Sequence, residues 1–182
     1  MAARAVPAPL TQLPNALTIF RLILIPVFVV LLLRSDGGHS WPAAIVFAVA
    51  GVTDQVDGWL ARRWQVESSF GKIADPLADR LMIDAAVILL WHAGRLPWIA
   101  LAIPLRDVAL VAGYKLVVGR GYDFSVNLAG KAATWLLYAS LGFVMVTSDG
   151  TNWPLWIFWA GVVLAAVSLV GYLQKARREV RT

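Results

Sequence analysis

The chain contains no cysteine, which excludes disulfide staples, thiolate nucleophiles and cysteine-ligated metal centres. Histidine is almost as scarce. Only His39 and His92 occur, both in stretches that read as short loops, so a histidine-built metal site has no material. Charged residues make up 15% of the chain against 59% hydrophobic ones, a balance that excludes an ordinary soluble domain. The opening MAARAVPAPLTQLP has no compact apolar core, so no cleavable signal peptide is expected. Internal repeats and low-complexity segments are also missing.

What the chain has in abundance is apolar sequence, in blocks of about 20 residues, the length that spans a bilayer. Mean hydropathy is +0.70. The predicted class is all-α: a polytopic membrane protein, one domain over residues 1–182, with six transmembrane helices behind a short juxtamembrane segment carrying Pro7, Pro9 and Pro14. Spans are expected at about 13–33, 41–64, 70–91, 97–118, 127–146 and 153–173. Pro26 should kink the first. Pro76 removes a backbone donor and points to a third span starting near Asp75. Trp41, Trp64, Trp91, Trp98, Trp153, Trp156 and Trp159 gather at span ends, as an aromatic belt does.

Six spans put both termini on one side of the membrane. Arg4, Arg62, Arg63, Lys72, Arg120, Lys131, Lys175, Arg177, Arg178 and Arg181 fall on that side, and the opposite loops hold Arg34 and Arg95. The positive-inside rule then places the termini in the cytoplasm, with the chain in a plasma or inner membrane. It also makes the net charge of +5 a topology signal rather than a nucleic-acid footprint.

The densest chemistry lies in residues 54–79, DQVDGWLARRWQVESSFGKIADPLAD. Asp54 and Asp57 are spaced i, i+3 and share a helix face with Gly58 and Ala61. Asp75 and Asp79 are spaced i, i+4, with Gly71 one step back on the same face. Two carboxylate rows on neighbouring helices make an oxygen-rich pocket suited to hard divalent cations and the phosphates they bind. The simpler account has these aspartates pairing with Arg62, Arg63, Lys72 and Arg80. Small residues beside the carboxylates favour the pocket, because they leave room for a ligand to approach the backbone. Asp54 lies about 15 Å from the end of its helix, a depth at which a carboxylate needs a wet cavity or a cation. All-oxygen ligands select Mg²⁺ or Mn²⁺.

The run Asp54-x2-Asp57-Gly58-x2-Ala61-Arg62-x8-Gly71-x3-Asp75-x3-Asp79 resembles the signature of the CDP-alcohol phosphotransferases at all eight positions. The resemblance implies a two-metal phosphotransfer enzyme of phospholipid biosynthesis, working as a homodimer. It implies that Asp54, Asp57 and Asp75 are metal ligands, and that Asp79 is a ligand doubling as the general base. Gly58, Ala61, Arg62 and Gly71 match positions that cradle the CDP moiety. Asn15, Thr18 and Arg21 form a polar strip on the first span, similar to the opening of the phosphatidylglycerophosphate synthase and cardiolipin synthase branch. That strip reads either as an N-cap followed by a snorkelling arginine, or as a row facing the carboxylates.

For the acceptor, Arg106 and Asp107 in the fourth span and Asp84 in the third admit two readings. They pair with one another between helices, or Arg106 binds an acceptor phosphate, with Lys115, Arg120 and Lys131 nearer the mouth. A positive lining favours a phosphorylated acceptor. The expected reaction moves a phosphatidyl group from CDP-diacylglycerol to glycerol 3-phosphate and releases CMP, among membrane lipids and without nucleic acid. Phosphatidylglycerol, giving cardiolipin, and an inositol phosphate are the rival acceptors. Two other classes also use buried acids. A prenyltransferase would need two separated aspartate motifs in a larger bundle, and an ion-coupled transporter would be expected to show an inverted repeat. Small-residue patches at 48–51 and 139–142 are candidate helix contacts within or between protomers.

Overall fold

The computed structural model describes residues 13–64, 71–108 and 128–179, with side chains placed for 16–56, 77–108 and 130–168. The expected all-α class holds. Helix α1 is Leu13–Leu33, α2 is Trp41–Trp64 and α3 is Gly71–His92. A 3₁₀ turn, Trp98–Leu101, leads into α4 at residues 102–108, followed by α5, Leu128–Val146, and α6, Trp153–Glu179. No strand occurs among the described residues beyond the isolated bridge between Asp36 and His39.

Local chemistry explains the helix starts. Helices α1, α2 and α6 open Leu-Pro, Trp-Pro and Trp-Pro, which places a residue without an amide hydrogen in the first turn, where no donor is needed. Ser40 caps α2, its Oγ accepting from the amide of Ala43 at 3.2 Å. Three helices depart from expectation in detail. The third matches the expected span of about 70–91 to within a residue at each end. It runs through Pro76 to Gly71 rather than starting near Asp75, so the proline costs one backbone bond near the helix start without ending it. The fourth begins as a 3₁₀ turn because Pro104 has no amide to bond back onto Ala100. Its expected remainder, 109–118, lies outside the described residues. The sixth continues to Glu179, since Gln, Lys, Ala, Arg and Glu are all good helix formers. His92 is the last residue of α3 rather than a loop residue.

Helix α1 packs on α2 and α3, α2 packs on α5, and α5 packs on α6. Alanines at the contacts (Ala43, Ala44, Ala50 and Ala86, all buried) let the backbones approach closely. Phe28, Phe47, Met82 and Leu90 fill the space between them. The outer faces are apolar as well: Trp98, Leu105 and Trp156 are each more than 70% exposed. Apolar surface on that scale is unfavourable in water and natural against lipid. Among the described residues, Ala16–Leu33 is long and apolar enough to cross a membrane. Shorter apolar stretches are Trp41–Val56, Gly130–Val146 and Trp153–Ser168.

One end of the bundle is tied. Arg95 pairs with Asp149 and donates to the carbonyls of Val144 and Thr147, the latter at 2.6 Å. The amide of Ser40 donates to the carbonyl of Met145 at 2.8 Å, and His39 Nε2 lies 3.2 Å from the carbonyl oxygen of Val146. Gly38, at φ +76°, lets the first loop lie flat here. An added Cβ would sit 2.9 Å from Ala93 Cβ and 3.1 Å from Arg95 Cγ. Gly38→Ala should therefore destabilise by about 2–4 kcal/mol, left-handed strain plus overpacking. Gly150→Ala, at φ +82° with nothing within 4 Å, should cost about 1 kcal/mol from strain alone. Chemical unfolding in detergent compares the two variants.

Candidate active site

Helices α1 and α3 end at the tied loops and α2 begins there. Arg21, Asp54 and Asp79 each lie about 18–20 Å along their helices from that end, at ~1.5 Å per residue. Three helices thus bring three charged groups to one level of an apolar bundle.

Arg21 is completely buried, and its Nη1 stands 2.7 Å from Asp54 Oδ1. The Asp54 side chain keeps 26% of its surface exposed, so one side of the carboxylate stays open. Thr18 is buried one turn away on the same face of α1. Of the two accounts of the polar strip, the structure bears out the one that faces the carboxylates. A snorkelling arginine would expose its head, and this one does not. The Asn15 side chain lies outside the described residues.

Asp79, half-buried on α3, accepts a hydrogen bond on Oδ1 from the Tyr138 hydroxyl of α5 at 2.6 Å. Tyr138 also lies within electrostatic reach of Asp54 and Arg21, and Asp79 within reach of Arg21 and Arg80. Arg21, Asp54, Asp79 and Tyr138 therefore form one polar neighbourhood contributed by four helices. Asp57, Gly58, Ala61 and Arg62 fall in α2, and Gly71 and Asp75 fall in α3, but their side chains lie outside the described residues. Lys115 and Arg120 also lie outside them. Lys131 stands exposed in the first turn of α5.

A second polar group lies between α3 and α4. Asp107, 5% exposed, accepts from Arg80 Nη1 at 2.8 Å and from Arg106 Nε at 2.9 Å, both on Oδ1. Asp107 thus pairs across the two helices, but with Arg80 rather than with Asp84 as the pairing reading expected, and its bond to Arg106 stays within α4. Asp84 does not join it: its Oδ1 is buried with no hydrogen-bond partner among the described residues. Arg80 and Arg106 keep 40% and 36% of their side-chain surface exposed, so both guanidiniums retain a face for an anion. Among the described residues Arg80 turns to Asp107 and Asp54 turns to Arg21; the side chains of Asp57, Asp75, Arg62, Arg63 and Lys72 lie outside them.

The donor set suits a hard divalent cation. Asp54 and Asp79 offer only oxygen, the ligand type a hard divalent cation takes, and Arg21 engages one Asp54 oxygen while part of that side chain stays open. Two of the four expected carboxylates have placed side chains, and no cluster of three or more ligating side chains occurs among the described residues. Tyr138 and the Arg80–Asp107 bridge escaped the sequence reading. The signal for Tyr138 was present, since a tyrosine in mid-span, away from the interfacial belt, needs a partner for its hydroxyl.

A family model described as CDP-alcohol phosphatidyltransferase matches residues 11–167. The chain is 34% identical to the CDP-diacylglycerol–glycerol-3-phosphate 3-phosphatidyltransferase of Bacillus subtilis, over 94% of this chain and 98% of the relative. It is 36% identical to the cardiolipin synthase (CMP-forming) of Streptomyces coelicolor, over 93% and 84%. The Escherichia coli K12 CDP-diacylglycerol–glycerol-3-phosphate 3-phosphatidyltransferase is 31% identical, over 92% and 96%.

The buried ion pair makes its own prediction. Removing one partner of such a pair costs about 3–5 kcal/mol when both are dry, so Arg21→Met should lower stability by about 3 kcal/mol given the partly wet Asp54. Adding Asp54→Leu to that variant should recover most of the loss in a detergent unfolding titration. An additive or larger loss would show that the pair does not govern this level of the bundle.

Proposed function

The chain belongs to the CDP-alcohol phosphatidyltransferase family, and from that premise we propose that it transfers the phosphatidyl group of CDP-diacylglycerol to glycerol 3-phosphate. The observation that carries the reading is the meeting of Asp54 and Asp79, from neighbouring helices, at one polar level of an apolar bundle. Two relatives named for glycerol 3-phosphate, matched over nearly their whole lengths, support this acceptor. The family sets aside the transporter and prenyltransferase readings.

In this reading the acceptor hydroxyl gives its proton to Asp79 as its oxygen attacks the phosphorus that carries the diacylglycerol. A new P–O bond forms, the diphosphate bridge breaks, and CMP leaves with the bonding electrons. Asp54, Asp57, Asp75 and Asp79 would hold two divalent ions, Mg²⁺ or Mn²⁺. Such ions grip a diphosphate and neutralise charge on the leaving phosphate. Gly58, Ala61, Arg62 and Gly71 would seat the CDP moiety, at the start of α3 where helix amides favour phosphate. Arg21 fixes Asp54 from behind. Arg106, half-exposed beside Asp107, would meet the acceptor's phosphate, with Lys131 nearer the mouth.

We further propose that the whole chain is a single membrane domain of six spans, with the site and both termini cytoplasmic. A homodimer fits the small-residue patch at 139–142, where a Cβ added at Gly142 would meet nothing within 4 Å among the described residues. Cross-linking in membranes that returned single copies alone would contradict the dimer. In this cysteine-free chain, an introduced Ser148→Cys should react with an impermeant maleimide from outside intact cells, and Thr182→Cys only after permeabilisation. The opposite pattern would invert the topology.

A second reading keeps the donor and takes phosphatidylglycerol as acceptor, favoured by the 36% identity to the cardiolipin synthase. Purified protein given CDP-diacylglycerol and a panel of acceptors decides, with CMP release as readout. The proposal expects release with glycerol 3-phosphate; release with phosphatidylglycerol alone would replace it. Asp79→Asn should slow turnover by about 10²–10⁴-fold while CDP-diacylglycerol still binds, and a near-normal rate would show that Asp79 is not the base. Arg106→Ala should raise the acceptor KM by about 10-fold or more with the donor KM unchanged, the size of a charge-assisted bond. Unchanged constants would make Arg106 structural.

A further inference from the structure

We propose that Tyr138 is a positioning residue that sets the orientation of the Asp79 carboxylate, and that Gly51 is the notch through which it reaches it. The inference rests on the reading of Asp79 as base and ligand, and adds a residue to that reaction which the aspartate signature does not contain.

Three independent contacts fix the tyrosine. Its ring lies against α2 at Gly51, where an added Cβ would stand 3.1 Å from both Cδ1 and Cε1. The Phe47 ring, one turn earlier on α2, packs on it at a centroid distance of 4.8 Å, and Phe47 packs on Phe28 of α1 at 5.4 Å. The hydroxyl emerges at Asp79 of α3, donating at 2.6 Å. One side chain from α5 therefore spans from α2 to α3. Gly51 and Asp54 are spaced i, i+3, so the face of α2 that seats the ring is also the face that presents the first carboxylate.

The chemical consequence concerns which carboxylate oxygen is free. A carboxylate rotates about its terminal bond across a broad, shallow well. A phenol held by ring packing and donating to Oδ1 narrows that rotation and leaves Oδ2 outside the bond. Oδ2 is then the atom left to take the acceptor's proton, and both oxygens keep a lone pair for a cation. Partners that hydrogen-bond a ligating carboxylate typically matter by about 10–100-fold in metal affinity or activity.

Tyr138→Phe tests this, because it keeps the ring, the Phe47 contact and the Gly51 seat and removes the hydroxyl alone. Expected are a fall in kcat for CMP release of about 10–100-fold, with both KM values within about twofold. Mn²⁺ affinity of the detergent-purified protein should weaken by about 10-fold, with the fold retained and the thermal midpoint lowered by a few degrees. Gly51→Ala, which pushes the ring off its seat, should give the same signature in weaker form. In a Tyr138→Ala background the alanine at 51 should then have no further effect. Wild-type kcat and Mn²⁺ affinity in folded Tyr138→Phe would overturn the proposal. If that variant does not fold, wild-type kcat and Mn²⁺ affinity in Gly51→Ala overturn it instead. Should the wild-type protein release no CMP with any acceptor, the phosphatidyltransfer reading fails, and the Mn²⁺ comparison still decides the role of Tyr138.

Discussion

Carboxylates set inside an apolar helical bundle are the constraint from which the rest of this structure follows. An ionised side chain removed from water needs a compensating charge or hydrogen bond within reach. Among the described residues, three acids within the helices meet that need through another helix. Asp54 meets Arg21 of α1, Asp79 meets Tyr138 of α5, and Asp107 of α4 meets Arg80 of α3. The polar contacts thereby fix how the helices register against one another. In lipid, where apolar burial adds little between helices, such bonds and close packing of small residues do much of the holding. Buried alanines at 43, 44, 50 and 86 bring the backbones near enough for the short bonds to form.

The bundle separates rigidity from chemistry along its length. At one end, Arg95 gathers Asp149 and two carbonyls, and loops 34–40, 93–97 and 147–152 close on each other. From there the helices project about 20 Å to the level of Asp54 and Asp79. A rigid far end makes the carboxylate spacing a property of helix packing rather than of any loop, which is how a site needing fine geometry is best held.

Much of this was legible in the sequence, for identifiable reasons. Helix bounds at 13–33 and 41–64 were readable because the apolar blocks have the length that spans a bilayer, and tryptophans mark both ends of the second. The carboxylate faces were readable because helical spacing is fixed by the backbone. The partner of Asp54 was not, since periodicity shows which face Arg21 occupies but not whether its head turns to water or inward. Tyr138 was hidden for a similar reason: it sits 59 residues from Asp79, and only the crossing of α5 over α2 and α3 joins them. The expected bound at about 70 lies within a residue of the start of α3. The alternative start near Asp75 fails because a proline near a helix start reads as a boundary, whereas here the helix runs on through it. Asp84, whose Oδ1 is buried without a hydrogen-bond partner among the described residues, has no physical explanation in the contacts seen.

The central claim is that two membrane helices present their acids to a common hollow that holds paired divalent ions. Electron paramagnetic resonance of the purified protein titrated with Mn²⁺ addresses it most directly. The account predicts two bound ions whose spins broaden one another, with the coupling lost in a variant lacking Asp54 and Asp79. A single isolated six-line spectrum at saturation, or none beyond that of free Mn²⁺, would contradict it.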